Sequence, residues 1–108
     1  MFMEDKNIIT LNERSYELKF NEKTIETVER LTGSPLMASV AKNNGILSLS
    51  ELRTYFSNAL YTLEGGRVSP QQASDVYDKV LNEKGYPFVN MLIVGTIQRD
   101  CPFFFQAD

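Results

Sequence analysis

Ser48-Leu49-Ser50-Glu51 is a helix start written in four residues. The serine oxygen can accept the N–H three residues on, and the glutamate found there can reach back to the serine's own N–H. Behind it Leu49, Leu52, Tyr55, Phe56, Ala59, Leu60 and Leu63 recur every three or four residues and share one stripe, until Glu64-Gly65-Gly66 breaks the pattern. Ser69-Pro70-Gln71-Gln72 repeats the device, with proline at the first helical position, where its missing N–H has no partner to lose. Ala73, Val76, Tyr77, Val80 and Leu81 carry the second stripe, and Lys84-Gly85 closes it, the lysine near the negative pole of the helix. Two amphipathic helices in tandem must hide their stripes, which commits the chain to helical packing.

The flanks add to this frame. Ile8-Ile9-Thr10-Leu11 and Ser15 to Phe20 are short runs on either side of Asn12-Glu13-Arg14. The second run alternates, with Tyr16, Leu18 and Phe20 on one face, and Asn12 suits a turn that needs a left-handed residue, so a β-hairpin is predicted. Asn21 can cap a helix carrying Ile25, Val28 and Leu31, which Gly33 closes. Ser34-Pro35 opens a shorter helix with Leu36, Met37, Val40 and Ala41 on one side, ending at Asn43-Asn44-Gly45. From Tyr86-Pro87 to Asp100 the text is apolar on most sides, through Phe88, Val89, Met91, Leu92, Ile93, Val94 and Ile97. A buried strand fits that text, but its length and Pro87 favour a helix, which Pro102 stops. The expectation is a mainly α fold of four to five short helices around a central apolar C-terminal helix, with an N-terminal β-hairpin. Residues 1–108 read as one domain, with loosely packed ends at 1–7 and 101–108.

A chain of 108 residues supports one modest core, not a core plus a deep cleft. Its net charge is −3 and its eleven basic residues are scattered, which disfavours nucleic acid, because phosphate contact needs clustered Lys and Arg. The longest apolar stretch, Phe88 to Ile97, is interrupted by Asn90 and Gly95 and is shorter than the roughly 20 residues a spanning helix needs. The opening MFMEDK is acidic where a signal peptide is basic, so a cytoplasmic protein without a membrane role is expected. One cysteine and no histidine leave no internal disulfide and no single-chain zinc site.

No constellation in the sequence announces catalysis, so a non-enzyme without cofactor or metal is expected. Ser–His and Cys–His pairs are excluded by composition. Cys101 follows Asp100, whose carboxylate raises a thiol's pKa, and reads as an apolar filler. Asp75 and Asp78 stand one turn apart on a polar helix face and read as solvated. Gly65-Gly66 is a hinge between capped helices, since no Lys-Ser or Lys-Thr follows as a phosphate loop requires.

What remains is surface. At helical spacing Tyr55, Tyr77 and Met91 read as core, whereas Tyr61 and Met37 are better candidates for an interface. Phe103, Phe104 and Phe105 form the other candidate. Successive side chains turn by roughly 100° in a helix and 180° in a strand, so the three rings cannot share one face. Either they fold back on the last helix or they engage a partner, and self-association is open too.

Taken together, the hairpin Tyr16-x-Leu18-x-Phe20, the helix text from Glu22 to Leu31 ending in Thr32-Gly33, the Leu-rich helix and the Ser69-Pro70-Gln71-Gln72 start resemble one family. They look like the tail assembly chaperones of long-tailed bacteriophages and the related small protein of gene-transfer-agent tail clusters, over roughly residues 8–85. The resemblance implies a small helical protein of the bacterial cytoplasm, absent from the finished virion. It would bind the aggregation-prone tape measure protein and help tail tube subunits assemble around it. The family's habit of extending the product by ribosomal frameshifting gives the Phe run a second reading, as codons of a slip site. A different class stays open: a small acidic adaptor or inhibitor that docks on a host or phage protein through the Phe tail.

Overall fold

The structure, a computed structural model, describes residues 8–11, 13–42 and 44–104. Strands β1 (Ile8–Leu11) and β2 (Arg14–Leu18) form the expected hairpin, in antiparallel register with Ile9 opposite Tyr16 and Thr10 opposite Ser15. Asn12 lies outside the described residues; Glu13 beside it takes the left-handed conformation the turn needs, at φ 68°. Alternation places Ile9 and Leu18 in the core, while Ile8 and Thr10 face solvent.

Three helices follow the hairpin. Helix α1 (Glu22–Thr32) starts where the Asn21 side chain accepts the Thr24 N–H at 2.9 Å and ends where left-handed Gly33 returns its N–H to Glu29. It buries Ile25 and Val28, but Leu31 is 65% exposed. Each threefold step falls about 60° short of a full turn, so two steps carry Leu31 off the buried face. Helix α2 (Leu36–Lys42) buries Leu36 and Ser39 with Val40 packed against the core, so of the predicted side Leu36 and Val40 pack while Met37 and Ala41 stay outside. Helix α3 (Leu49–Ala59) carries the full capping box between Ser48 and Glu51.

The predicted third helix runs through Leu63, and here the structure corrects it. The helix stops at Ala59, and Leu60–Thr62 is a strand, β3, making a three-stranded antiparallel sheet in the order β1-β2-β3. Leu60 is buried under either geometry, so its spacing could not reveal the change. Sheet pairing decides it: Leu60 opposes Leu18, the Lys19 N–H donates to the Ala59 carbonyl, and the returning chain adds Val68 N–H to the Leu60 carbonyl. Leu63, beyond the strand, is exposed.

Helices α4 (Pro70–Lys84) and α5 (Tyr86–Asp100) follow, meeting at Gly85, whose φ of 92° suits glycine. α4 buries Ala73, Val76, Tyr77 and Val80. α5 buries Val89, Leu92, Ile93, Thr96 and Ile97, a regular stripe hidden within apolar text. Met91, expected in the core, is 70% exposed on the opposite side. α3 packs against α1, α4 and α5, and its Tyr55 and Phe56 meet Phe20 and Tyr77 in the core. No helix among the described residues is long and apolar enough to cross a membrane.

Candidate interaction surfaces

Polar side chains fix how α5 sits, and thereby what it exposes. The Asn90 side chain accepts the Leu47 N–H at 2.9 Å and donates to the Gly45 carbonyl at 2.9 Å, satisfying two backbone groups of the loop before α3. The Tyr86 hydroxyl donates to the Leu47 carbonyl. At the other end Asp100 accepts the Phe20 N–H at 2.8 Å, tying α5 to the segment after β2, and also pairs with Arg99. With these tethers in place Phe88 and Met91 point to solvent, and Ile46, held between Gly45 and Leu47, is exposed too.

Farther along the chain, Cys101 is 1% exposed and returns its N–H to Ile97, and Pro102–Phe104 form one tight 3₁₀ turn against α5. Within that turn Phe104 packs on the core while Phe103 is 54% exposed, their ring centroids 4.7 Å apart. Phe105 lies outside the described residues. The two rings therefore touch, yet Phe104 is partly covered by the core while Phe103 lies largely in solvent.

Of the other two candidates, Met37 is exposed on α2, and Tyr61 is half-buried on β3. Pairing with Glu17 turns the Tyr61 ring to the outer face of the sheet, where the Lys19 ammonium lies 5.4 Å from its centre. Sequence reasoning passed over Leu31, Ile46, Leu49 and Phe88, because each sits in a pattern that reads as buried or as loop.

The titratable groups serve the fold. Burial alone would raise the Glu51 carboxyl, but hydrogen bonds from Ser39 and Ser48, with Lys42 nearby, hold it below the usual range. Burial, then the Asp100 and Glu22 carboxylates, push the Cys101 thiol up, which keeps it protonated and unreactive. Burial, then Glu29 and Glu51, push the Tyr55 hydroxyl up. Asp78 is not merely solvated: Arg53 donates to it at 2.7 Å and to Ser74 at 2.7 Å while lying over the Tyr77 ring, bracing α3 on α4. Among the described residues no group of acids or Cys could hold a metal ion. In comparison with known proteins, the chain matches no family model, and no curated protein or solved structure is significantly similar to it.

Proposed function

We propose that this chain is a tail assembly chaperone of a long-tailed phage or prophage, acting in the bacterial cytoplasm without catalysis. It binds the tape measure protein and assists assembly of the tail tube around it. The observation that carries this reading is a body with a complete core that still holds large apolar side chains in water, among them Leu31, Met37, Ile46, Phe88, Met91 and Phe103. Such side chains suit reversible contact with an apolar helical client, and methionines adapt to irregular partners. The net charge of −3 favours solubility while a client is held.

Co-expression with the tape measure protein of the same gene cluster is the test. The expected outcome is a soluble client that co-purifies with this chain; a client that stays insoluble and unbound overturns the proposal. A second reading, an adaptor docking through its Phe tail, draws on the exposure of Phe103. It predicts that Phe103→Ala abolishes partner capture, whereas a chaperone with several apolar contacts loses only part of it.

A further inference from the structure

The sheet has two edges, and they are treated differently. Beyond β3 the chain returns on itself: Thr62 N–H donates to the Gly66 carbonyl, Val68 N–H to the Leu60 carbonyl, and Tyr61 bridges Arg67. Beyond β1, among the described residues, no strand follows.

Which β1 groups face outward can be derived. Antiparallel strands alternate between opposed residues that exchange both backbone hydrogen bonds and opposed residues that exchange none. The Lys19 N–H donates to Ala59, and Glu17 opposes Tyr61 two residues along the same register, so Ser15, Glu17 and Lys19 aim their backbone groups at the β3 side. Arg14 and Tyr16 therefore aim at β1, where they meet Leu11 and Ile9. That leaves the N–H and C=O groups of Ile8 and Thr10 pointing away from the sheet. The pairing Thr10–Ser15, with hydroxyls 3.1 Å apart, has the close side chains expected of the non-bonded class.

We propose that this edge pairs with the same edge of a second copy, antiparallel about Ile9, converting two three-stranded sheets into one of six strands. Ile8 of each copy then faces Thr10 of the other, each pair exchanging both bonds, and the two Ile9 side chains meet on the core side. Charge permits a second copy: Ile8, Ile9, Thr10 and Leu11 carry none, so the identical strands meet without like-charge repulsion, and none of the four is a lysine or a proline that would block the approach. Three of the four are β-branched, the best residues for cross-strand contact, and the pairing covers exposed Ile8. The short edge makes a weak dimer, set by concentration. None of this draws on the client-binding reading.

The test is sedimentation of the full chain from low micromolar to about 1 mM, with amide hydrogen exchange at both ends of the range. Reversible dimerisation is expected, with protection of the Ile8 and Thr10 amides rising at least about tenfold on concentration while Ile9 and Leu11 are protected throughout. Thr10→Pro removes an outward N–H and one exposed hydroxyl contact with Ser15 but no bond of the β1–β2 ladder, so it should keep the circular dichroism of the wild type and stay monomeric. Met91→Gln should dimerise like the wild type, which separates this edge from the apolar helix face. A wild type monomeric throughout overturns the proposal, as does a dimer with unprotected Ile8 and Thr10 amides. Should Thr10→Pro unfold, the exchange pattern of the wild type alone decides.

Discussion

Helices α4 and α5 are neighbours of equal length, 15 residues each, and both begin beside a proline, yet different things orient them. α4 is apolar on one side, and its buried residues are those of that stripe. α5 is apolar on most sides, and only one of those sides is covered. Its rotation is selected by Asn90, Tyr86 and Asp100, whose partners are backbone groups of distant segments. Burial fixes a helix when only one face gains from it; when several would, a few polar side chains choose, because leaving them unpaired is expensive. The side not chosen stays apolar and outside.

The sharpest way to break the comparison lies within α5. Ile93→Ala should lower unfolding free energy by about 2–5 kcal/mol in urea titration, while Met91→Ala should stay within about 0.5 kcal/mol although both residues are large and apolar. Next comes the tether. Asn90→Leu strands the Leu47 N–H and the Gly45 carbonyl and should destabilise by about 1–3 kcal/mol; on α4, Asn82→Leu, which loses only an exposed bond to the Asp78 carbonyl, should change little.

The third prediction contrasts helix starts, since α5 has no side-chain cap and α3 has Glu51. The Glu51 carboxyl is depressed below 4.5 in the fold, so its contribution is fully present above that value and is lost as pH falls through the depressed pKa. Acid titration of stability should therefore be shallower below pH 4.5 in Glu51→Gln than in the wild type. The smallest effect belongs to the brace between α3 and α4. Asp78→Ala breaks a pair whose side chains are about half exposed and leaves Arg53 on Ser74 and Tyr77, so it should remove only about 0.2–1 kcal/mol, less in high salt.

Much of the architecture was legible because its signals are local. The Ser48–Glu51 box, the Ser69 cap with Pro70 and the left-handed Gly33 each appear where the residues placed them. The strand at Leu60–Thr62 was not legible: it exists through pairing with β2, more than 40 positions earlier, and Leu60 is inward in helix or strand alike. Of the candidate surface residues, Met37 and Phe103 stand exposed, and Phe104 packs inward. The exposed side of α5 was hidden for a related reason. Apolar text on most sides carries little rotational phase, and of the residues that supply it Asn90 reads as an interruption and Asp100 as the end of the segment, neither as a tether.

The passage from Ala59 to Leu60 has a consequence for how the chain tolerates a change of length. Helix and strand abut there with no connector, so one added residue would have to turn the helix by about 100° or flip the strand to its other face. The helix is locked by Tyr55 and Phe56 in the core and the strand by its register on β2, so neither can yield. A few residues on, the turn at Leu63 to Gly66 is closed by hydrogen bonds to Thr62, but all four residues are exposed and no core side chain depends on its length, so an insertion there costs surface bonds rather than packing. Spacing is therefore counted to the single residue by the core at one end of β3 and held only by surface hydrogen bonds at the other.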